Sequence, residues 1–279
     1  RAAAEDALRA RSYAEAALHF EAALGRCPAD EPSTRFELLA GLADARRRAS
    51  DHSYQDVLVE MAVMAEQASG SVATDRRVKV ALTQREVGWH GVCGEPDPEL
   101  ATYRAALDLL DESDPRWPVV AADVAGVIHH TPREATREDW FRRALAAARR
   151  LDDDVVLRRV LADAIVLDDA GLVAERAGLA AEMLARTIAA GDLEGQHFAH
   201  RIALLGAFEQ GDLLGIEHHW EGIARTAEEL RQPAFRWSAL AWSASVDLHR
   251  GRLASAEERS HRAFTWGIEG GIEQTRTTW

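Results

Sequence analysis

Apolar residues recur every three or four positions through residues 192–264, which is the spacing of one face of an α-helix. One such run ends at Gln210, and Gly211-Asp212-Leu213 follows it. A second run then continues through Ile216 and Trp220. A glycine that ends one apolar run, directly followed by the start of another, predicts two helices joined by a tight turn. This stretch is therefore predicted to begin with a helical hairpin.

The same alternation of run and turn continues on both sides of that hairpin. Residues 233–250 form the next run, Gly251 forms the turn, and residues 253–268 form the partner run. Near the start of the chain, Ser12 is the predicted N-cap of a helix that begins at Tyr13. Further helices are predicted over residues 36–48, 54–65, 76–89, 100–110, 117–128, 137–150, 155–167 and 172–190, with another beginning at Ile272.

Equivalent apolar positions in the second helix of each pair lie 38 to 42 residues apart. They are Ala23, Met64, Ala106, Ala144, Met183, Ile223 and Ala263. A period of about 40 residues predicts an all-α solenoid of about seven helical hairpins, each stable only against its neighbours. We expect residues 1–279 to form a single domain that coils into a right-handed superhelix, with the first helix of each pair on the concave side.

Three segments carry a resemblance to known proteins: Gly211-Asp212-Leu213, residues 228–237 and residues 251–257. They resemble the tetratricopeptide-rich regions of large actinobacterial regulators, namely the ATP-binding LuxR-type regulators and related signal-transduction ATPases. The long period is also similar to the superhelical sensor domain of the maltose-regulon activator. The resemblance implies a sensor and oligomerisation module between a P-loop ATPase and a helix-turn-helix domain, in an activator that often controls a secondary-metabolite (antibiotic) gene cluster.

The chain lacks the two functional motifs of such a regulator. A P-loop requires a lysine followed by serine or threonine, whereas Lys79, the only lysine, is followed by Val80. A helix-turn-helix with a basic recognition helix is also not evident. We therefore expect neither enzymatic activity nor a cofactor in this segment. Because the sequence starts with Arg1 inside a helical pattern and stops at Trp279 without a closing motif, it is interpreted as part of a longer protein.

The composition of the chain indicates which classes of partner and which cellular location are favoured. The net charge of −13 disfavours direct contact with nucleic acid, because phosphate is repelled. No apolar run reaches the roughly 18 residues of a membrane span. Cys27 and Cys93 lie in different repeats, which favours a reduced cytoplasmic protein over a disulfide framework. Because apolar end faces of a solenoid favour association, we expect a homo-oligomer.

Clusters of carboxylates and glycines have structural interpretations. Asp152 to Asp154 precede a predicted helix and are expected to cap it rather than act as general acids or bases. Asp168-Asp169 lie before a predicted turn at Gly171. Residues 88–94 hold three glycines but follow no predicted strand, so a nucleotide-binding loop is not expected. His129-His130 are interpreted as a helix end, where histidine complements the helix dipole.

Histidines raise the question of a metal site. His197 and His200 lie three residues apart on one predicted helix, and His218-His219 lie on its partner helix. Helix-borne histidines at such spacing can bind zinc. We expect His200 to face the contact within the hairpin and His197 to face the groove, so that the two side chains diverge. On that basis no metal site is expected.

A ligand or partner site is predicted on the concave side. Phe198, Arg201, Leu205 and Phe208 share one face of a predicted first helix. The corresponding candidates on the neighbouring first helices are Arg158, Leu161, Ile165, Ser238 and Trp242. An apolar face that contains an arginine suits an anionic metabolite or an acidic peptide. The alternative, that this face packs against the adjacent repeat, is left open.

The sequence therefore predicts a non-enzymatic module for protein interaction and effector sensing in a transcriptional regulator, acting through a small effector or a partner protein. An effector that prefers one curvature of the stack would shift the population of conformations. The alternatives are a free-standing scaffold that recruits partner proteins and, with less support, a metal-dependent enzyme.

Overall fold

The computed structural model describes residues 1–84, 98–128, 137–272 and residue 275. The secondary structure of these residues is helical, without a β-strand, which confirms the all-α prediction. The chain divides into two compact units. The first consists of Arg1–Glu86 with Gln232–Ala234, and the second of Val87–Arg231 with Phe235–Trp279.

Five helices form the first unit, each packed against the next along the chain. They are α1 (Ala2–Arg9), α2 (Tyr13–Leu24), α3 (Pro32–Arg48), α4 (Tyr54–Glu66) and α5 (Gly70–Gln84). Their core consists largely of alanine and leucine, with Phe20 and Phe36 filling the wider gaps. A side chain at Gly41 would clash with the ring of Phe20, so the small residue on α3 permits close contact with α2.

The second unit holds nine α-helices and two short 3₁₀-helices among its described residues. Consecutive helices from α6 to α12 contact each other. The α-helices are α6 (Pro98–Leu107), α7 (Trp117–Ile128), α8 (Arg137–Arg150), α9 (Asp154–Leu161), α10 (Val173–Ala190), α11 (Leu193–Gln210), α12 (Leu213–Leu230), α13 (Pro233–His249) and α14 (Leu253–Glu269). The 3₁₀-helices are Ala164–Val166 and Ala170–Leu172. The indole nitrogen of Trp237 donates a hydrogen bond of 3.1 Å to the Ala263 carbonyl, which joins α13 to α14.

The seven equivalent positions of the sequence pattern fall on alternate helices, from α2 and α4 through to α14. Each therefore lies in the second helix of a pair, as predicted. Ala106, Ala144, Met183, Ile223 and Ala263 are buried. The period of about 40 residues thus corresponds to one helical hairpin per repeat, the solenoid arrangement, within each unit.

Two turns of the second unit, those before α11 and α12, share a pattern of glycine, aspartate and glycine. Gly211 has a φ of 64°, in the left-handed region that ends helices. Asp212 then caps α12, because its carboxylate accepts a hydrogen bond of 3.0 Å from the Gly215 backbone nitrogen. Asp192 caps α11 in the same way. At the start of α9, Asp153 accepts hydrogen bonds from two backbone nitrogens, which confirms the capping prediction for residues 152–154.

One predicted helix is shorter than expected. The pattern predicts helix over residues 155–167, whereas α9 ends at Leu161 and a 3₁₀-helix follows. Ile165 and Val166 are β-branched and favour helix weakly. The carbonyl of Leu167 accepts a hydrogen bond from the buried guanidinium of Arg176 on α10, so an irregular backbone is satisfied there. The chain consequently leaves the helix before the site residue Ile165.

Ion pairs link helices of successive repeats. Arg142 and Arg149 on α8 lie 2.7 Å and 2.9 Å from Glu175 and Glu182 on α10. Exposed pairs of this kind contribute about 0 to 1 kcal/mol each.

Several predictions lie outside the described residues: the loop over residues 88–94, Cys93, His129-His130 and most of the helix predicted from Ile272. Cys27 is described and has a free thiol. Among the described helices, none has both the length and the apolar character needed to cross a membrane.

Candidate functional site

Aromatic side chains from two consecutive first helices, α11 and α13, stack on one another. The ring of Phe208 lies 6.2 Å from that of Trp242, with 27° between their planes. The Phe208 ring also lies 4.1 Å from the ring of His249, with 20° between the planes. Phe208 and Trp242 are half-buried, and His249 is exposed. These three rings are called the aromatic face below.

Two members of the aromatic face, Phe208 and Trp242, pack against a buried apolar cluster. The cluster consists of Leu204, Ala207, Ile216, Ile223 and Val246. Because Phe208 and Trp242 pack against these close-packed side chains, the exposed parts of their two rings are held in place. A preorganised surface loses less conformational entropy when it binds a partner.

His197 occupies the interior between α11, α12 and α13. Its Nδ1 lies 3.0 Å from the Thr226 hydroxyl, and its Nε2 lies 3.3 Å from the Ser238 hydroxyl. Because Thr226 already donates to the Gly222 carbonyl at 2.8 Å, Nδ1 carries the proton and donates to Thr226. Ser238 then donates to Nε2. Burial, together with the positive charge of Arg201, lowers the pKa of His197 to about 3.

A histidine beside a serine hydroxyl is the arrangement of a nucleophile and its base, but burial decides its role here. His197 is 0 % exposed and Ser238 is 2 % exposed. A substrate carbonyl cannot approach a hydroxyl that is enclosed by packed helices. The pair therefore satisfies polar groups between three helices, and Ser238 is not part of an open groove as the sequence predicted.

Arg201 is also buried, which changes its expected role as an anion ligand. It is 3 % exposed, and its guanidinium lies 5.4 Å from the centre of the Phe198 ring. Burial lowers the pKa of Arg201 to about 10, and the carboxylate of Asp163 opposes that shift. The guanidinium is thus held inside the fold by a ring and a carboxylate. The prediction that Arg201 faces an open groove is wrong for this structure.

The candidates one repeat earlier are occupied by contacts within the fold. Arg158 is ion-paired with Asp154 at 2.8 Å and also with Asp192, the N-cap of α11. Leu161 is 0 % exposed, so it belongs to the core and not to a groove. Ile165 is half-buried in the 3₁₀-helix, out of helical register with the other two. The structure does not bring these three together as one binding surface.

Phe198 and Leu205, the remaining candidates, are half-buried on α11. The ring of Phe198 lies 5.7 Å from Phe235 and packs against the cluster formed with Ala227 and Leu230. It therefore joins α11 to α12 and α13. Of the nine predicted site residues, the structure brings Phe208 and Trp242 together as a partly exposed aromatic pair.

His249 was not among the residues predicted from the sequence. It lies seven residues after Trp242, which places both on one face of α13. That spacing marks His249 as a neighbour of Trp242, but only the structure shows that Phe208 of another helix lies against it. The aromatic face therefore combines two predicted residues with one that sequence reasoning missed.

A depression lies between the ends of α12, α13 and α14, with a volume of about 690 Å³. Its lining residues are Glu228, Arg236, Leu240, His261, Arg262, Thr265, Trp266 and Glu269. Charged side chains of both signs dominate this lining, and Arg236 is paired with Glu228 at 3.3 Å. Exposed pairs of this kind give a binding surface little energy, so the aromatic face is the better candidate.

Comparisons with known proteins give matches among solved structures. No protein-family model matches the chain, and no curated protein does. Among solved structures, the chain is similar to a Signal Transduction ATPase with Numerous Domains (STAND) protein with a tetratricopeptide repeat sensor, from Pyrococcus horikoshii. The TM-score is 0.49 at 13 % sequence identity, and the match covers 98 % of this chain and 42 % of that chain.

Proposed function

We propose that this chain is a non-catalytic binding module whose aromatic face recognises a segment of a partner protein. The observation that carries the proposal is the stack of Phe208, Trp242 and His249 across α11 and α13, half-exposed above a packed core. Aromatic residues held by a packed core are the side chains that contribute most to binding at protein interfaces. The site residues that would favour an anionic ligand, Arg158 and Arg201, are engaged inside the fold.

The chemistry of the face suits a peptide with an apolar or aromatic anchor. Ring faces accept apolar side chains and also cations, through the negative charge density of the ring. The net charge of −13 further favours a basic segment over an acidic one, because long-range attraction speeds the encounter. We therefore propose a basic peptide segment with at least one large apolar side chain as the partner.

A wider context accompanies this proposal. The resemblance of residues 211–213, 228–237 and 251–257 supports a place in a larger ATP-binding transcriptional regulator of the cytoplasm, with this chain as its sensor and oligomerisation domain. The alternative is a free-standing scaffold. Reading the coding sequence on both sides separates the two, since a P-loop upstream and a helix-turn-helix downstream are expected only for the regulator.

Light scattering of the purified chain tests self-association, which a strict monomer at high concentration would contradict.

Selection from a random peptide display library tests the aromatic face. Peptides retained by the wild-type chain are expected to be basic and to contain an apolar anchor. Their affinity should fall by at least about tenfold in Trp242→Ala, since removal of a central aromatic residue commonly costs about 2 kcal/mol or more. Fluorescence anisotropy with the selected peptide measures the change.

The matched control is Trp266→Ala on α14, since Trp266 is 37 % exposed and lies outside the aromatic face. Its affinity for the selected peptides should equal that of the wild type. Circular dichroism must show that both variants keep their helical content. Equal affinity of Trp242→Ala and Trp266→Ala for every selected peptide would refute the aromatic face as the binding site.

A further inference from the structure

Three histidines from the two helices of one hairpin come together on the side of α11 that faces α12. The Nδ1 atoms of His200 on α11 and His219 on α12 lie 3.1 Å apart. The ring of His218 lies 5.8 Å from that of His200 and 4.9 Å from that of His219. One ligating nitrogen from each of the three lies within 4.8 Å of the others. The cluster is graded in burial, from buried His200 through half-buried His219 to exposed His218.

Gly222 provides the space for this arrangement. It lies on α12, one turn after His218, and a side chain at this position would clash with the ring of His200. The absence of a side chain lets the imidazole of His200 lie against the backbone of α12. In that position its Nδ1 is directed toward the ring of His219. The backbone thus holds the buried member of the cluster in place, as a preorganised ligand requires.

Burial affects the charge of two of the three rings, His200 and His219. Burial lowers the pKa of His200 to about 4, and the charges of His219, Arg225 and His218 act in the same direction. Burial and the charge of His218 lower the pKa of His219, with Asp212 opposing. Burial therefore favours the neutral imidazole at both residues, and a neutral imidazole nitrogen can act as a metal ligand.

We propose that His200, His218 and His219 bind one divalent transition-metal ion of the zinc class. Zinc binds imidazole nitrogen at about 2.0 to 2.1 Å in a tetrahedral arrangement, which separates two ligating nitrogens by about 3.3 Å. The observed 3.1 Å between His200 and His219 is close to that value. His218 is exposed, and one of its ring nitrogens lies within 4.8 Å of the ligating nitrogens of the other two histidines, which makes it the third ligand of the same ion. Three histidines leave a fourth position, which water fills.

The competing interpretation is a plain hydrogen bond between His200 and His219. It explains the separation of 3.1 Å, because a protonated Nδ1 on one ring can donate to an unprotonated Nδ1 on the other. It gives His218 no role. The two interpretations therefore differ in what they predict for His218, an exposed residue that can be replaced without disturbing the core.

Titration of tag-free residues 1–279 with Zn²⁺ tests the proposal by calorimetry. We expect one Zn²⁺ per chain and a rise in the unfolding temperature, because an ion that joins α11 to α12 stabilises the folded state. His218→Gln should weaken binding of this ion at least about tenfold, since it removes one of three ligands. His261→Gln, which alters an exposed histidine outside the cluster, should bind Zn²⁺ as the wild type does.

Cobalt reports the ligand type. The Co²⁺ complex of the wild type should show the visible absorption of a tetrahedral site, without the charge-transfer band of a thiolate, and His218→Gln should lose that absorption. Equal Zn²⁺ affinity of the wild type and His218→Gln, a thiolate band from cysteine, or no binding at all would each overturn the proposal. Because His218→Gln changes an exposed side chain, loss of folding does not confound the result.

Discussion

The buried histidine between α11, α12 and α13 makes the stability of this protein depend on pH. His197 is 0 % exposed, donates to Thr226 and accepts from Ser238. Burial and the nearby charges of Arg201 and His200 lower its pKa to about 3, against an ordinary value of 6.5. The replacement His197→Gln tests this dependence, because it keeps a hydrogen-bonding side chain but removes the titrating group.

The direction of the change in the free energy of unfolding with pH follows from which state, folded or unfolded, binds the proton. Below pH 6.5 the unfolded chain takes up a proton at this residue, and the folded chain does not until the pH approaches 3. The stabilising contribution is therefore complete above pH 6.5 and is lost as the pH falls below it. With these two pKa values, the free energy of unfolding falls by about 2 kcal/mol between pH 7.5 and pH 5.0 because of His197 alone.

Urea unfolding followed by circular dichroism at both pH values measures this contribution. The loss of stability from pH 7.5 to pH 5.0 should be about 2 kcal/mol smaller in His197→Gln than in the wild type. The difference between two pH values is independent of any constant destabilisation by the replacement. His261→Gln is the control, since its side chain is exposed, and it should show the wild-type loss. An identical loss in wild type and His197→Gln would refute the reasoning.

Four further replacements test the turns and the packing of the second unit by urea unfolding. Gly211→Ala should destabilise by about 1 kcal/mol, because φ is 64° there, whereas Gly178→Ala in the exposed middle of α10 should stabilise by about 0.5 to 1 kcal/mol. Equal effects of the two would contradict this account. Asp192→Ala should cost about 1 to 2 kcal/mol through loss of the N-cap of α11, and a neutral result would show that solvent replaces it. Gly222→Ala should cost about 1 to 3 kcal/mol by displacing the ring of His200, and an unchanged His200 imidazole resonance in NMR spectra would argue against that displacement.

Helix positions follow closely from local sequence pattern. The predicted helices over residues 117–128 and 137–150 have the same bounds as α7 and α8. Apolar spacing, capping aspartates and turn glycines act over a few residues, so the chain specifies them locally. The end of α9 at Leu161 was missed, and the irregular backbone beyond it is satisfied at Leu167 by Arg176 of the next α-helix. Such a partner is invisible in the local pattern.

The candidate site depended more on tertiary packing. Shared helical faces placed Phe208 and Trp242 on neighbouring first helices, and the structure brings them into contact. The same argument put Leu161, Arg201 and Ser238 in a groove, yet all three are buried. Helical spacing shows which residues share a face, but it does not show how deeply the next repeat covers that face.

The histidines show most clearly what the local sequence determined and what the tertiary structure determined. By itself, the sequence determined that His197 and His200 lie on one helix, that His218 and His219 lie on its partner, and that the first two diverge. Only the tertiary structure decided that His200 meets His219 where its ring lies against Gly222 of α12. It also decided that His197 is enclosed with Ser238 of α13. The physical reason is range: backbone periodicity acts within one helix, whereas ligand geometry and burial depend on side chains that adjacent helices bring together.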